Sequence, residues 1–508
     1  MLKYKYPIRI ILVLFSFQTI SYGQNAVKSL EKQSEQKITI ILKQLTLEEK
    51  VSICSGANPE TAFRGIKRLN IENVLCTDGP RGPNQRGSAT AFPSGIAFGA
   101  SWNPDLAEQA GKVMGNETRA KRIGVLLGPA NNILRDPLDG RFFEYYTEDP
   151  FLNSEMSVAQ IKGIQSEGVA ACIKHFACNN RELRVASASV ELHKGVPYEL
   201  AIDYYKQPGD AGIRLEWELP EINERKWNEV NQIVKKADVV IFVGGINHSM
   251  DTEGRDRKDL SFPGAQENLI NRLSAINKNI IAVLINGSPL ELGGWLPKVP
   301  AVLEAWYPGM EGGTAISNIL FGKINPSGKL PFSWPKKLSD CPSQVLGTEN
   351  DDFVNYTDSL MVGYRYYDTK KIEPEFPFGY GLSYTNFKYQ KLKVNIKNKV
   401  VSVSVLITNS GNYNGAEVVQ VYLRPLHPNV YRPVHELKFF KKIKINKGHT
   451  GKVNFDLDSD AFSYYDINQK KWQMDTGKYE IQIGSSSKDI RLKYLVVIPK
   501  KFGQGINN

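Results

Sequence analysis

Cysteine is scarce and irregularly placed: Cys54, Cys76, Cys172, Cys178 and Cys341 are the five in 508 residues. An odd count at uneven spacing is no disulfide framework. The stretch from Cys172 to Cys178 lacks metal-ligand spacing, so no metal and no cofactor is expected. Long apolar runs are missing after the N-terminus, so no membrane span is expected in the mature chain. Internal repeats and low-complexity tracts are absent as well. Positive charge exceeds negative by only 64 to 53 and is dispersed, with its densest run at Lys438, Lys441, Lys442 and Lys444. That run alternates with apolar residues and reads as a solvated strand face, so no nucleic-acid partner is expected.

What is present is an ordinary globular composition, 41% hydrophobic and 23% charged. The length suggests roughly three domains. The start, with Lys3, Lys5 and Arg9 before the apolar run Ile10 to Phe17 and Ser21-Tyr22-Gly23, has the layout of a secretory signal peptide over 1–23. An anchoring helix is the alternative, but the run is short for it. Removal of that segment lowers the formal charge from +11 to +8 and implies a periplasmic or secreted protein.

Residues 25–56 read as helical, with Thr46 before Glu48 and Glu49 marking a helix start. Asn103 to Arg122 and Asp149 to Gly168 read as further helices. Gly124 to Pro129 and Val169 to Phe176 read as buried strands, and the alternation argues for an α/β layout with parallel strands. Residues 189–217 alternate as a β-hairpin around Gln207-Pro208-Gly209-Asp210. From Trp227 the α/β texture returns: strands Val239 to Val243, Ile280 to Ile285 and Ala301 to Trp306, and a helix over Gln266 to Ile276. Residues 386–497 are all-β, with strands over Val400 to Ile407, Ala416 to Tyr422, Gly451 to Leu457 and Lys478 to Ile483. That pattern fits an immunoglobulin- or fibronectin-like sandwich.

Three clusters in the first α/β region carry chemistry. Asp78 lies in Thr-Asp-Gly-Pro-Arg-Gly, where a loop can present its carboxylate. Arg135-Asp136-Pro137 leads to Gly140-Arg141-Phe142-Phe143-Glu144-Tyr145. Lys174-His175-Phe176 closes a strand. Strand ends of this kind form the active face of an α/β barrel, and sugar hydroxyls want charged partners such as Asp and Arg. Taken singly, Asp78 could be a turn residue, Arg141 and Glu144 a helix-surface ion pair, and His175 a core histidine.

In this order the clusters resemble the N-terminal barrel of glycoside hydrolase family 3, the β-glucosidase family. Asp251-Thr252-Glu253-Gly254-Arg255-Asp256-Arg257 is similar to that family's acid/base loop. Asn286-Gly287-Ser288-Pro289, Glu304-Ala305-Trp306-Tyr307-Pro308-Gly309, Asn325 to Pro331 and Pro377 to Ser383 match further blocks in order. The 189–217 hairpin resembles the last strands of a PA14 domain. The resemblance implies a multidomain α/β plus β fold. Its parts would be a TIM-type (β/α) barrel over 24–184, incomplete; a PA14-like remnant over 185–222; an α/β sandwich over 223–340; a linker over 341–385; and a fibronectin III-like domain over 386–508.

Members of that family are retaining hydrolases. One carboxylate forms a glycosyl-enzyme while a second protonates the leaving oxygen and then activates water. The resemblance makes Glu253 the acid/base, and Asp78, Arg141, Lys174 and His175 the residues that bind sugar hydroxyls. The expected substrate is a β-linked oligosaccharide or glycoside with a terminal β-D-glucosyl or related residue. The family's nucleophile, the aspartate of a Ser-Asp-Trp motif, has no counterpart: Ser339-Asp340-Cys341 is the nearest string and lies after the second domain. A (β/α)8 barrel takes about 250 residues and rarely fewer than about 200, whereas residues 24–184 supply 161. An internal deletion or a mis-joined gene near Arg184 to Ser187 is therefore expected, leaving a hydrolase with impaired turnover or a carbohydrate-binding remnant.

Overall fold

The computed structural model describes residues 32–55, 58, 61–182, 224–349 and 354–499. The proposed signal peptide, the 189–217 hairpin and the junction at 184–187 lie outside the described residues. The chain divides into two compact units, residues 1–77 with 122–125, and residues 78–121 with 126–508.

In the first unit, residues 32–44 and Leu47–Ile53 are helical. The second helix starts where its sequence predicts. Glu49 donates its backbone N–H to Thr46 Oγ1 at 3.2 Å, and the Thr46 N–H donates to Glu49 at 3.0 Å, a reciprocal capping box. Glu49 also pairs with Arg68 at 2.7 Å.

In the second unit the helices Pro104–Ala120 and Pro150–Ser166 pack face to face. Ala107, Ala110, Gly111, Met114 and Thr118 recur at helical spacing and form the buried stripe of the first. A side chain at Gly111 would meet Gln160 O at 2.3 Å, and one at Gly163 would meet Glu108 O at 2.1 Å, so these glycines set how closely the helices approach. Proline occupies the first turn of both helices, and Asp149 caps the second by accepting from the Leu152 N–H at 2.8 Å. The expected strand Val169 to Phe176 is regular only at Ala170–Ala171, with one further parallel bridge from Lys174 to Ala130.

Further along, Val240–Gly245, Ile280–Ile285 and Ala301–Glu304 form a parallel three-stranded sheet in that order. Helix Gln266–Ile276 connects the first two. Trp295, Trp306, Trp334 and Phe332 anchor the core on which this sheet packs. The stretch expected as a linker, 341–385, carries helix Tyr364–Lys370, whose buried Tyr364 stacks on Phe378 at 4.6 Å.

The C-terminal domain is a β-sandwich. One sheet is Phe387–Lys397, Val400–Asn409 and Thr450–Leu457; the other runs Glu436–Ile445, Gly415–Pro425, Gly477–Gly484, Ile490–Ile498. Asn398 and Lys399 both hold positive φ, 51° and 62°, which matches the right-handed twist of the hairpin they close. The lysine run is corrected here. Lys441 and Lys444 are exposed, but Lys442 donates to the carbonyls of Ser101 at 2.8 Å and Ser327 at 2.9 Å, and Lys438 lies 4.0 Å from Glu436. Lys442 and Lys438 face the α/β part of the same unit, Lys438 from a bulge that the strand register skips between Leu437 and Phe439.

Candidate active site

All five site residues expected from the sequence fall in the second unit. Asp78 ends strand Val74–Asp78, and the Lys174 ammonium donates to its carboxylate. Arg141 precedes the short 3-10 turn Phe142–Glu144. Its side chain is 7% exposed and forms a bidentate pair with Glu144, 3.1 Å from Nε and 2.8 Å from Nη2. Its remaining Nη1 lies 3.1 Å from Glu253. Arg141 is therefore no surface partner of Glu144 but a buried guanidinium shared between Glu144 and Glu253.

Burial works against the Arg141 charge, yet Glu144 and Glu253 more than offset it and hold its pKa above the ordinary arginine value. His175 joins the two ion pairs. Burial lowers its pKa, the Arg141 and Lys174 charges lower it further, and Glu253 opposes them. Its ring meets Tyr145 edge-on at 6.4 Å, and its Nε2 is buried with no hydrogen-bond partner among the described residues. Asp78, Lys174, His175, Arg141 and Glu253 thus form one site, with the Glu253 side chain 74% exposed.

The sequence left several supporting residues without a role. Glu182 accepts from the Gly254 N–H at 2.8 Å and lies 4.0 Å from Arg141 Nε. Asp256 accepts from the N–H groups of Gly140 and Glu182 at 3.1 and 2.9 Å. Burial pushes the Asp256 carboxyl up to about 6, against those two donors. Asp139 stands well above the ordinary carboxyl range, first through burial and then through Asp256, Asp136 and Glu182; the Arg141 N–H works the other way. Glu182 lies seven residues after His175, and its signal was only a charged residue closing the Lys-His-Phe block. Among the described residues no His, Cys, Asp and Glu group could hold a metal ion, and all five cysteines are free thiols. Among the same residues no helix is long and apolar enough to cross a membrane.

An α/β chain with a C-terminal β-sandwich, presenting a carboxyl arm over paired cations and a histidine, has the make-up of a carbohydrate-cleaving enzyme. The sequence matches the glycosyl hydrolase family 3 C-terminal domain over residues 32–384 and the fibronectin type III-like domain over residues 417–487. The chain belongs to glycosyl hydrolase family 3 and is an O-glycosyl hydrolase by that membership. Thermostable beta-glucosidase B of Acetivibrio thermocellus is 31% identical, with 89% of this chain and 87% of the relative covered. The exo-alpha-(1->6)-L-arabinopyranosidase of Bifidobacterium breve is 26% identical, with 88% and 87% covered. The crystal structure of the Bifidobacterium adolescentis GH3 beta-glucosidase superposes with a TM-score of 0.80 at 27% identity, over 90% of this chain and 95% of that one. Beta-glucosidase 3B of Thermotoga neapolitana, solved in complex with alpha-D-glucose, gives 0.79 at 25% identity, over 91% and 99%.

Proposed function

We propose that this site is the sugar-binding half and the acid/base arm of a retaining β-glycosidase, acting on terminal β-D-glucosyl or related β-glycosyl residues. In this chain it binds the sugar without completing turnover, because the nucleophile is absent. The observation that carries the reading is Arg141, whose Nη1 holds Glu253 at 3.1 Å while His175 lies in the field of both Glu253 and Lys174. A bound sugar would set its hydroxyls against Asp78, Arg141, Lys174 and His175, and Glu253 would protonate the leaving oxygen. What is missing is the second carboxylate, about 5–5.5 Å from the first in retaining enzymes.

Two observations support the gap. The alignment with the Acetivibrio thermocellus relative runs over 658 positions, while 89% of this chain is about 452 residues, so about 206 positions face a gap in this chain. Apolar residues also stand open where a barrel would cover them: Ile173 and Phe176 beside Lys174 and His175 are 37% and 74% exposed. The N-terminal segment supports export to the periplasm or medium, and 189–217 a PA14 remnant, on sequence grounds alone.

The test is a glucose isotherm on the full-length protein beside the Arg141→Ala variant. Binding in the millimolar range that falls at least about tenfold in the variant is expected, from loss of a charged hydrogen-bonding partner worth about 1.5–3 kcal/mol. Equal isotherms would contradict the assignment of the site.

A further inference from the structure

We propose that Asp251 is the positioning residue of the acid/base arm, holding the loop so that Glu253 projects toward the sugar; the inference rests on the reading of Glu253 given above. The two carboxylates, two residues apart, are opposites in their surroundings. Asp251 is fully buried and the Glu253 side chain is 74% exposed. Asp251 Oδ1 accepts from Ser288 Oγ at 2.7 Å, and Oδ2 accepts from the Gly287 N–H at 3.0 Å and the Tyr307 hydroxyl at 2.9 Å. These donors come from two separate blocks, one following strand Ile280–Ile285 and one following Ala301–Glu304, so both parallel strands aim their C-terminal ends at one side chain.

The far foot of the same loop stands on the same ground. Arg257 Nη1 donates to Ser288 Oγ at 2.9 Å and to the Pro289 carbonyl at 2.6 Å, and its N–H donates to the Leu138 carbonyl at 2.8 Å. Ser288 therefore donates to one foot and accepts from the other. Between the feet the Gly254 N–H is taken by Glu182. No side chain fits at Gly287: its Cβ would lie 2.1 Å from Phe143 Cβ and 2.8 Å from Asp251 Oδ2. A buried carboxylate is costly to place and is tolerated where donors surround it. Here the three donors fix a loop whose only outward carboxylate is Glu253, which is how a reactive side chain is held to a narrow range of positions.

The test must not depend on turnover, which the missing nucleophile prevents on the proposed reading. N-bromoacetyl-β-D-glucosylamine presents an electrophilic carbon where a leaving group would sit. A Glu253 carboxylate oxygen attacks its CH2 carbon, the C–Br bond breaks, bromide leaves, and an ester remains that peptide mass mapping locates. On the full-length protein the saturable labelling rate and the half-saturating concentration are measured separately. For Asp251→Asn the maximal rate is expected to fall about tenfold or more, the scale of a displacement near 1 Å, with half-saturation unchanged. Tyr307→Phe, which removes one donor and keeps the ring, is expected to lose less, and it carries the test if Asp251→Asn does not fold. Unchanged maximal rates in the variants, or a rate and half-saturation that worsen together, would overturn the positioning role while leaving Glu253 as the labelled arm. A wild-type protein that binds glucose but is not labelled at Glu253 would overturn the acid/base assignment, and the inference with it.

Discussion

At Gly140 a side chain has no place to go: its Cβ would stand 1.9 Å from the Arg255 carbonyl oxygen and 2.4 Å from that of Thr252. The residue before Arg141 is thus the seat on which the loop carrying Glu253 rests. Gly140→Ala is expected to cost about 2 kcal/mol or more in urea unfolding, as overpacking against backbone does. Next to it, Asp256 bears on pH. Its folded pKa is raised to about 6 from 3.8, so between those values the folded state binds the proton more tightly than the unfolded one. Its contribution to stability is full below the unfolded value and is lost as pH rises through about 6. Asp256→Asn, whose amide oxygen can keep both N–H donors, is expected to flatten that loss and gain about 1 kcal/mol over wild type at pH 8, a figure discounted for partial exposure. Equal pH slopes in the two proteins would show that Asp256 is not the group. At this scale the sequence singled out five residues that the structure brings together, but not their supports. Taken singly, Arg141 and Glu144 could be a surface pair, because nothing local reveals that Glu253, over a hundred residues on, completes the triad. Asp251 and Tyr307 lay inside recognisable blocks, yet their meeting is a product of two crossovers that no spacing encodes.

Elements with strong periodicity were readable nearly to the residue. Helix Gln266–Ile276 and strand Ile280–Ile285 stand as their patterns predict, and the sandwich strands extend those expected by one to three residues at an end. Val169 to Phe176 was overextended, since apolar composition marks a strand whether or not neighbours pair along its length. Strand Glu436–Ile445 shows the opposite limit. Its lysines look alike in sequence, but burial lowers the pKa of Lys442 to about 8, with the Lys329 and Lys444 charges adding to it, while Lys441 is exposed. Lys442→Ala leaves two carbonyls without their donor and is expected to cost about 1–3 kcal/mol. Lys441→Ala is expected to stay within about 0.5 kcal/mol. Urea unfolding of the two variants separates a buried tie from a solvated face.

Over the whole molecule, the open apolar surface is the feature that the proposed gap has to explain. Parallel strands are ordinarily covered on both faces, yet Ile241 and Val243 of the edge strand are 47% and 61% exposed, and Ile233 of the helix before it 69%. In the first unit, described by itself, Leu47 and Val51 are 72% and 63% exposed. Such edges invite self-association. Light scattering is expected to show concentration-dependent association that the double substitution Ile241→Thr, Val243→Thr reduces without lowering the unfolding midpoint. Association unchanged in that variant would move the cause elsewhere. The order of the family 3 part and the fibronectin type III-like part was readable because each block carries its own glycine- and proline-marked turns. The absence of a Ser-Asp-Trp string was readable only against the family pattern, since the proposed gap leaves no local sign in the sequence.

The most direct measurement is hydrolysis of an aryl β-D-glucoside by the full-length protein, with Glu253→Gln beside it. The account predicts that both are equally silent while glucose still binds, because a proton donor alone cannot complete a two-step displacement. Turnover that is abolished by Glu253→Gln would mean that another carboxylate acts as nucleophile, and would contradict the account at its centre.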